Sequence, residues 1–140
     1  MPLKLELKRG ERIILGEYVV KTSERTRLTF LSSDVTILRE KDILTPEQAD
    51  SPAKRVYLAV QLMYVSKEPA SAHQIYFALV RDILHAAPST RPYIDRINDH
   101  ILAGHMYKAL QEAKKLIAYE EELLARAKPP ARPRAEAKKA

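Results

Sequence analysis

The hydrophobic period of this chain changes once, at Thr45-Pro46, and that switch constrains its architecture more than any other feature. Before it, apolar residues recur at every second position, the period of a strand with one buried and one wet face. Leu3, Leu5 and Leu7 alternate with Lys4, Glu6 and Lys8, and Gly10-Glu11 and Gly16-Glu17 punctuate the runs Ile13-Ile14-Leu15 and Tyr18-Val19-Val20. The run RTRLTFL then sets Leu28 and Phe30 against Arg25, Arg27 and Thr29, and Ser32-Ser33-Asp34 turns the chain into Val35-Thr36-Ile37-Leu38. These spacings predict about five short strands at hairpin intervals. A sheet this small buries too little apolar surface to stand alone, so it should lean on helices or on a second copy.

From Thr45 the period is helical. Thr45 suits a helix cap, Pro46 the first helical position and Gln48 the third place of a capping box, and Ser51-Pro52 repeats the start signal. The run PAKRVYLAVQLMYV puts Val56, Val60 and Met63 on one stripe and spaces Tyr57 and Tyr64 seven apart. Pro69 opens a further helix carrying Ile75, Leu79, Ile83 and Leu84, and Pro88 to Pro92 breaks it. Tyr93, Ile94, Ile97 and Ile101 mark the next helix, with Gly104 as its stop. The last helix runs from Met106 to Arg126 on a seam of Leu110, Ala113, Ile117 and Leu124. Near its end Glu120-Glu121-Glu122 opposes the helix dipole and predicts fraying. The expected fold class is therefore α+β: a β unit over residues 1–44, a helical unit of about four helices over 45–127, and a disordered basic tail over 128–140.

Charge is unevenly placed. The formal net charge is +6, and the tail holds five basic residues against one acidic, whereas residues 45–127 carry ten of each sign. Basic ends suit polyanionic partners, although such a tail also serves solubility alone. The absence of cysteine removes disulfides and thiolate metal sites and fits a reducing cytoplasm. No run approaches the roughly 18 apolar residues of a membrane span. The N-terminus MPLKLELKRG has no signal-peptide core, so the expected address is the cytoplasm, with no membrane partner. His73, His85, His100 and His105 make no metal-type pair, Asp95 and Asp99 read as solvent-face charges, and three glycines form no phosphate-cradling loop. No catalytic residue, metal or cofactor is expected, and the sequence points away from an enzyme.

Two residue sets remain. Tyr57, Tyr64, Tyr76, Tyr93, Tyr107 and Tyr119 all fall on predicted helices, where they line the boundary between core and water or offer a protein-partner surface, with Tyr57 and Tyr64 as its centre. The basic residues Lys4, Lys8, Arg9, Arg25, Arg27, Arg39 and Lys41 recur on strands or strand ends. Such residues either grip single-stranded RNA at a sheet edge or keep edge strands from pairing.

Two resemblances bear on that choice. The segments MPLKLELKRGERIILG and ILREKDILTPEQADSPAKRVYLAVQLMY resemble the FlbT family, flagellum-biosynthesis regulators of alphaproteobacteria, over nearly the whole chain. That resemblance implies a post-transcriptional regulator that associates with the 5′ untranslated region of flagellin messenger RNA and promotes its decay, with the sign reversed in some relatives. Residues 3–44 are also similar to the carbon-storage-regulator (CsrA) family, through the leucines, a basic pair, GERIILG and ILREKDI. That likeness implies a homodimer and RNA contacts at Lys8 and Arg39; Arg9, Arg25, Arg27 and Lys41 are the supporting candidates among the basic residues of the strand unit. Leu7 stands where that family has another basic residue, and the Gly16-to-Arg39 spacing is shorter than the family's, so one hairpin is trimmed. The partner expected first is the flagellin messenger leader. The alternative is an adaptor whose helical unit binds flagellin or another flagellar regulatory protein.

Overall fold

The computed structural model describes residues 3–31, 36–66 and 70–127 of the 140, so the expected turn Ser32-Ser33-Asp34, the strand start at Val35, the helix start at Pro69 and the tail 128–140 lie outside the described residues. Five strands precede four helices: β1 Leu3–Leu7, β2 Arg12–Leu15, β3 Tyr18–Lys21, β4 Thr26–Phe30 and β5 Ile37–Arg39, then α1 Pro52–Val65, α2 Ala70–Ala86, α3 Arg91–Leu102 and α4 Met106–Ala127. The fold is α+β, as the change of period predicts. The strands form two antiparallel sheets, a β1–β4 ribbon and a three-stranded sheet in the order β3–β2–β5. Leu15 pairs with Tyr18 across a two-residue loop, and Gly16 there has φ 60°, the left-handed conformation that tight hairpins require.

Among the helices, α1 packs against both α2 and α4, α3 packs against α4, and the Tyr76 hydroxyl of α2 donates to Asn98 Oδ1 of α3 at 2.5 Å. Val56, Tyr57, Val60 and Met63 of α1 meet Ala72, Tyr76 and Val80 of α2, Ile94 and Ile97 of α3, and Leu110, Ala113 and Leu116 of α4 in one core. Leu38 of β5 belongs to that core, with Ile14, Ile43 and Leu44 against it, so the three-stranded sheet leans on the helices. Leu7 and Ile13 are also fully buried.

Three local expectations change. Thr45 does form a capping box with Gln48, but the box opens a 3-10 turn, Pro46–Gln48, and α1 begins later at Ser51-Pro52. Proline disfavours helical backbone in the residue before it, and Ser51 is accordingly extended, at φ −142° and ψ 161°. On α2 the buried stripe is Ala72, Tyr76, Val80 and Ile83, and Ile75 is left half exposed because α2 has a major helical neighbour on one side only. The acidic run in α4 does not end the helix, which continues to Ala127. Glu120 is buried, and its Oε2 accepts the Ala53 N–H at 2.9 Å. A carboxylate that opposes the dipole of its own helix thus sits at the N-terminus of α1, where a negative charge is favoured. Gly104, at φ 79°, stops α3 as expected, with His105 N–H donating to the His100 carbonyl.

Candidate nucleic-acid interface

The candidate site is assembled where β1 leaves the ribbon and β5 meets the helices. Lys8 to Glu11 form a β-turn closed by the Glu11 N–H on the Lys8 carbonyl at 3.0 Å, with Gly10 at φ 77° in the position that needs it. Thr22 fastens the turn from the other side, its hydroxyl donating to the Lys8 carbonyl at 2.6 Å. Lys8 and Arg9 are therefore held outward on a fixed backbone. Across from them β5 ends at Arg39, and a 3-10 turn, Glu40–Asp42, presents Glu40 and Lys41.

Lys8, Arg9, Gly10, Glu11, Arg39, Glu40 and Lys41 line an open concavity of about 550 Å³. That volume matches a ligand cleft, but clefts for small molecules are mostly apolar and this wall is charged. Arg39 is its fixed member. Its Nε and one terminal nitrogen donate to the Glu11 carboxylate at 3.2 and 3.1 Å, and that terminal nitrogen also donates to the Glu6 carbonyl at 2.9 Å. Glu11 also accepts the Lys8 backbone N–H at 2.9 Å. That bond, outweighing the cost of burial, and then the Arg39 guanidinium hold the Glu11 carboxyl below its ordinary range. Glu40 is engaged by Arg12, whose backbone N–H donates to it at 2.7 Å. No ion pair is recorded for Lys8, Arg9 or Lys41 among the described residues, so three exposed cations surround one anchored arginine.

The structure brings together Lys8, Arg9, Arg39 and Lys41 but leaves Arg25 and Arg27 elsewhere. Arg27 lies on β4 and Arg25 just before it, and they pair with Glu6 at 3.7 and 3.1 Å. β1 and β5 are not ladder neighbours, and a side chain joins them instead of a hydrogen-bonded edge.

The expected tyrosine surface is corrected. Tyr57 is 3% exposed and its hydroxyl donates to the Asp42 carbonyl, so it is core. Tyr64 is half-buried and donates to the Ile37 carbonyl at 3.0 Å. Their shared stripe lies beneath β5 and the turn after it, where burial pushes both phenols up. Tyr93 and Tyr119 are half-buried and stack at 4.7 Å, with the Arg96 guanidinium 4.9 Å from the Tyr93 ring centre. Two acids of the joint escaped the sequence reading. Asp42 is buried, pairs with Lys114 and accepts from the Tyr107 hydroxyl at 3.3 Å; Glu11 orders the concavity. Nothing near Asp42 in sequence marks it, whereas the Gly10-Glu11 punctuation did mark a turn.

Two small sheets on a helical layer, with a cationic concavity at their junction, define a small α+β protein with a face suited to anions. The chain belongs to the FlbT family: the family described as flagellar protein FlbT matches residues 3–124. It is 58% identical over 124 residues to the probable flagellum biosynthesis repressor protein FlbT 1 of Bradyrhizobium diazoefficiens, covering 88% of this chain and 85% of that one. A probable flagellum biosynthesis repressor protein FlbT of Rhodopseudomonas palustris is 48% identical over 127 residues, covering 90% of this chain and all of the relative. The flagellum biosynthesis repressor protein FlbT of Caulobacter vibrioides is 36% identical over 127 residues, covering 89% of this chain and 90% of that one. No solved structure matches the chain.

Proposed function

We propose that the protein regulates flagellum synthesis, the role its relatives are named for, and that it does so without catalysis by holding the 5′ leader of flagellin messenger RNA in the cytoplasm. The observation that carries this reading is the convergence of Lys8, Arg9, Arg39 and Lys41 around one open concavity. The three exposed cations suit phosphates. Arg39, immobilised by Glu11, keeps its fork in a fixed plane, which suits a base edge or a stacked base. Bound there, the leader is withheld from ribosomes or left to cellular ribonucleases.

Binding of the full chain to its flagellin leader, against a scrambled RNA of equal length and at several salt concentrations, tests this. With about three phosphates contacted, the log–log salt slope for a single strand is about −2. Lys41→Ala lowers that slope by about one with little change of selectivity, whereas Arg39→Ala reduces the preference for the leader. Equal, salt-sensitive binding to both RNAs would sink the reading. One feature favours a second reading, an adaptor for flagellin or another flagellar regulator: Ile75 and Phe77 of α2 stand 51% and 59% exposed. On that reading Phe77→Ser abolishes regulation while Arg39→Ala does not.

A further inference from the structure

The β1–β4 ribbon has one edge that carries no strand and is touched at Glu6 by the Arg39 guanidinium. Among the described residues, β1 pairs with β4 on one side and with no strand on the other. Its apolar face is built from the cross-strand pairs Leu3–Phe30 and Leu5–Leu28, with Leu3 48% exposed and the other three half-buried. A two-stranded ribbon with half its apolar face in water is marginal by itself, and an open strand edge is a template for pairing.

The sequence of β1 identifies what pairs there. LKLEL is a charge palindrome: read backwards, each leucine falls on a leucine and each charge on its opposite. We propose that β1 pairs antiparallel with β1 of a second copy of this chain about a two-fold axis at Leu5, joining two ribbons into one sheet in the order β4–β1–β1–β4. Leu5 then faces Leu5, Leu3 faces Leu7, and Lys4 lies opposite Glu6 of the second copy, twice by symmetry. Opposite charges directly across antiparallel strands are favourable and like charges are not. A parallel pairing would instead set Lys4 against Lys4. The Arg39 guanidinium already donates to the Glu6 carbonyl at this edge, and the second lone pair of that oxygen remains for the partner strand.

The pairing stands apart from the RNA reading, but one consequence depends on it. Lys8 lies three residues beyond the axis, so two copies of Lys8 stand about 20 Å apart at ~3.4 Å per residue. One leader strand can then engage two concavities, the second at high effective concentration.

The chain has no cysteine, so Leu5→Cys introduces a single thiol. Residues directly opposite in an antiparallel pair have Cα atoms about 4.5–5.5 Å apart, within reach of a disulfide. Mild oxidation of full-length Leu5→Cys is expected to give a crosslinked dimer, while Leu28→Cys, one strand further out, stays uncrosslinked. By light scattering the unmodified protein has twice the chain mass. Lys4→Glu and Glu6→Lys are each monomeric, and mixing the two restores a dimer because every cross-strand pair is again of opposite sign. Circular dichroism of each variant shows whether its helices are intact. A monomeric unmodified chain overturns the proposal, as does a dimer that survives both charge changes and gives no crosslink in the Leu5→Cys protein.

Discussion

Arg39 and Asp42 stand three residues apart in one run of alternating charge, and the fold sends them to opposite places. Arg39 faces the strands, a third exposed, and shares Glu11 with water. Asp42 faces the helices, 4% exposed, closed in by Lys114 and Tyr107 and by the Tyr57 hydroxyl on its carbonyl. Both belong to ion pairs. The outer pair lines the open concavity, whereas the Asp42 carboxylate of the inner pair is withdrawn from solvent although Lys114 is 45% exposed. The contrast teaches that the joint has a stabilising side towards the helices and, on the proposed function, a binding side towards the strands.

The largest expected effect tests the inner half. Lys114→Met leaves the Asp42 carboxylate buried with the Tyr107 hydroxyl alone. The expected loss is about 2–3 kcal/mol, below the usual range for a broken buried pair because Lys114 is 45% exposed. Urea unfolding measures it, and the RNA affinity of the folded protein should not move; a change in affinity without a change in stability would erase the contrast. Next comes Tyr57→Phe, which strips the Asp42 carbonyl of its donor and should cost about 1–2 kcal/mol. Tyr64→Phe should cost less, since water can reach a half-buried carbonyl partner. Glu120→Ala removes the acceptor at the head of α1 and should cost about 1 kcal/mol, read from the same unfolding curves.

The smallest effect belongs to the outer half and depends on pH. The folded pKa of Glu11 lies below the ordinary value of 4.5. Its contribution is therefore complete above that value and disappears as pH falls through the folded pKa. Against Glu11→Gln, the protein should be more stable at neutral pH by about half a kcal/mol, a margin that closes only on the acid side of 4.5. A margin that persists in acid would mean that hydrogen bonding, and not charge, holds Arg39.

What could be read in advance follows the range over which residues interact. Alternation and the Gly-Glu punctuation exposed the strands, and Gly104 exposed the end of α3, because those signals live within a few residues of one another. Lys8 and Arg39 were expected to converge, with Arg9, Arg25, Arg27 and Lys41 supporting, because strand ends of a small antiparallel unit have few places to go. Arg25 and Arg27 obey the same alternation yet are drawn to Glu6 on the β1–β4 ribbon, a pairing that periodicity does not encode. Asp42, Glu120 and Tyr57 were misread or passed over for one reason. Asp42 and Glu120 are satisfied by residues 72 and 67 positions away, and in local sequence a buried acid looks like a solvated one.

Those same two contacts govern how the protein comes into being. A ribosome delivers the strands and α1 first, when Lys114 and Glu120 have yet to be added. Until the final helix emerges, the head of α1 lacks its acceptor, Asp42 lacks its counter-ion, and the three-stranded sheet has an unfinished layer to rest on. Folding is thus an event of the whole chain. A product cut short before residue 114 ends with exposed strand edges and no way to close them, and a cell would meet it as a substrate for chaperones and proteases.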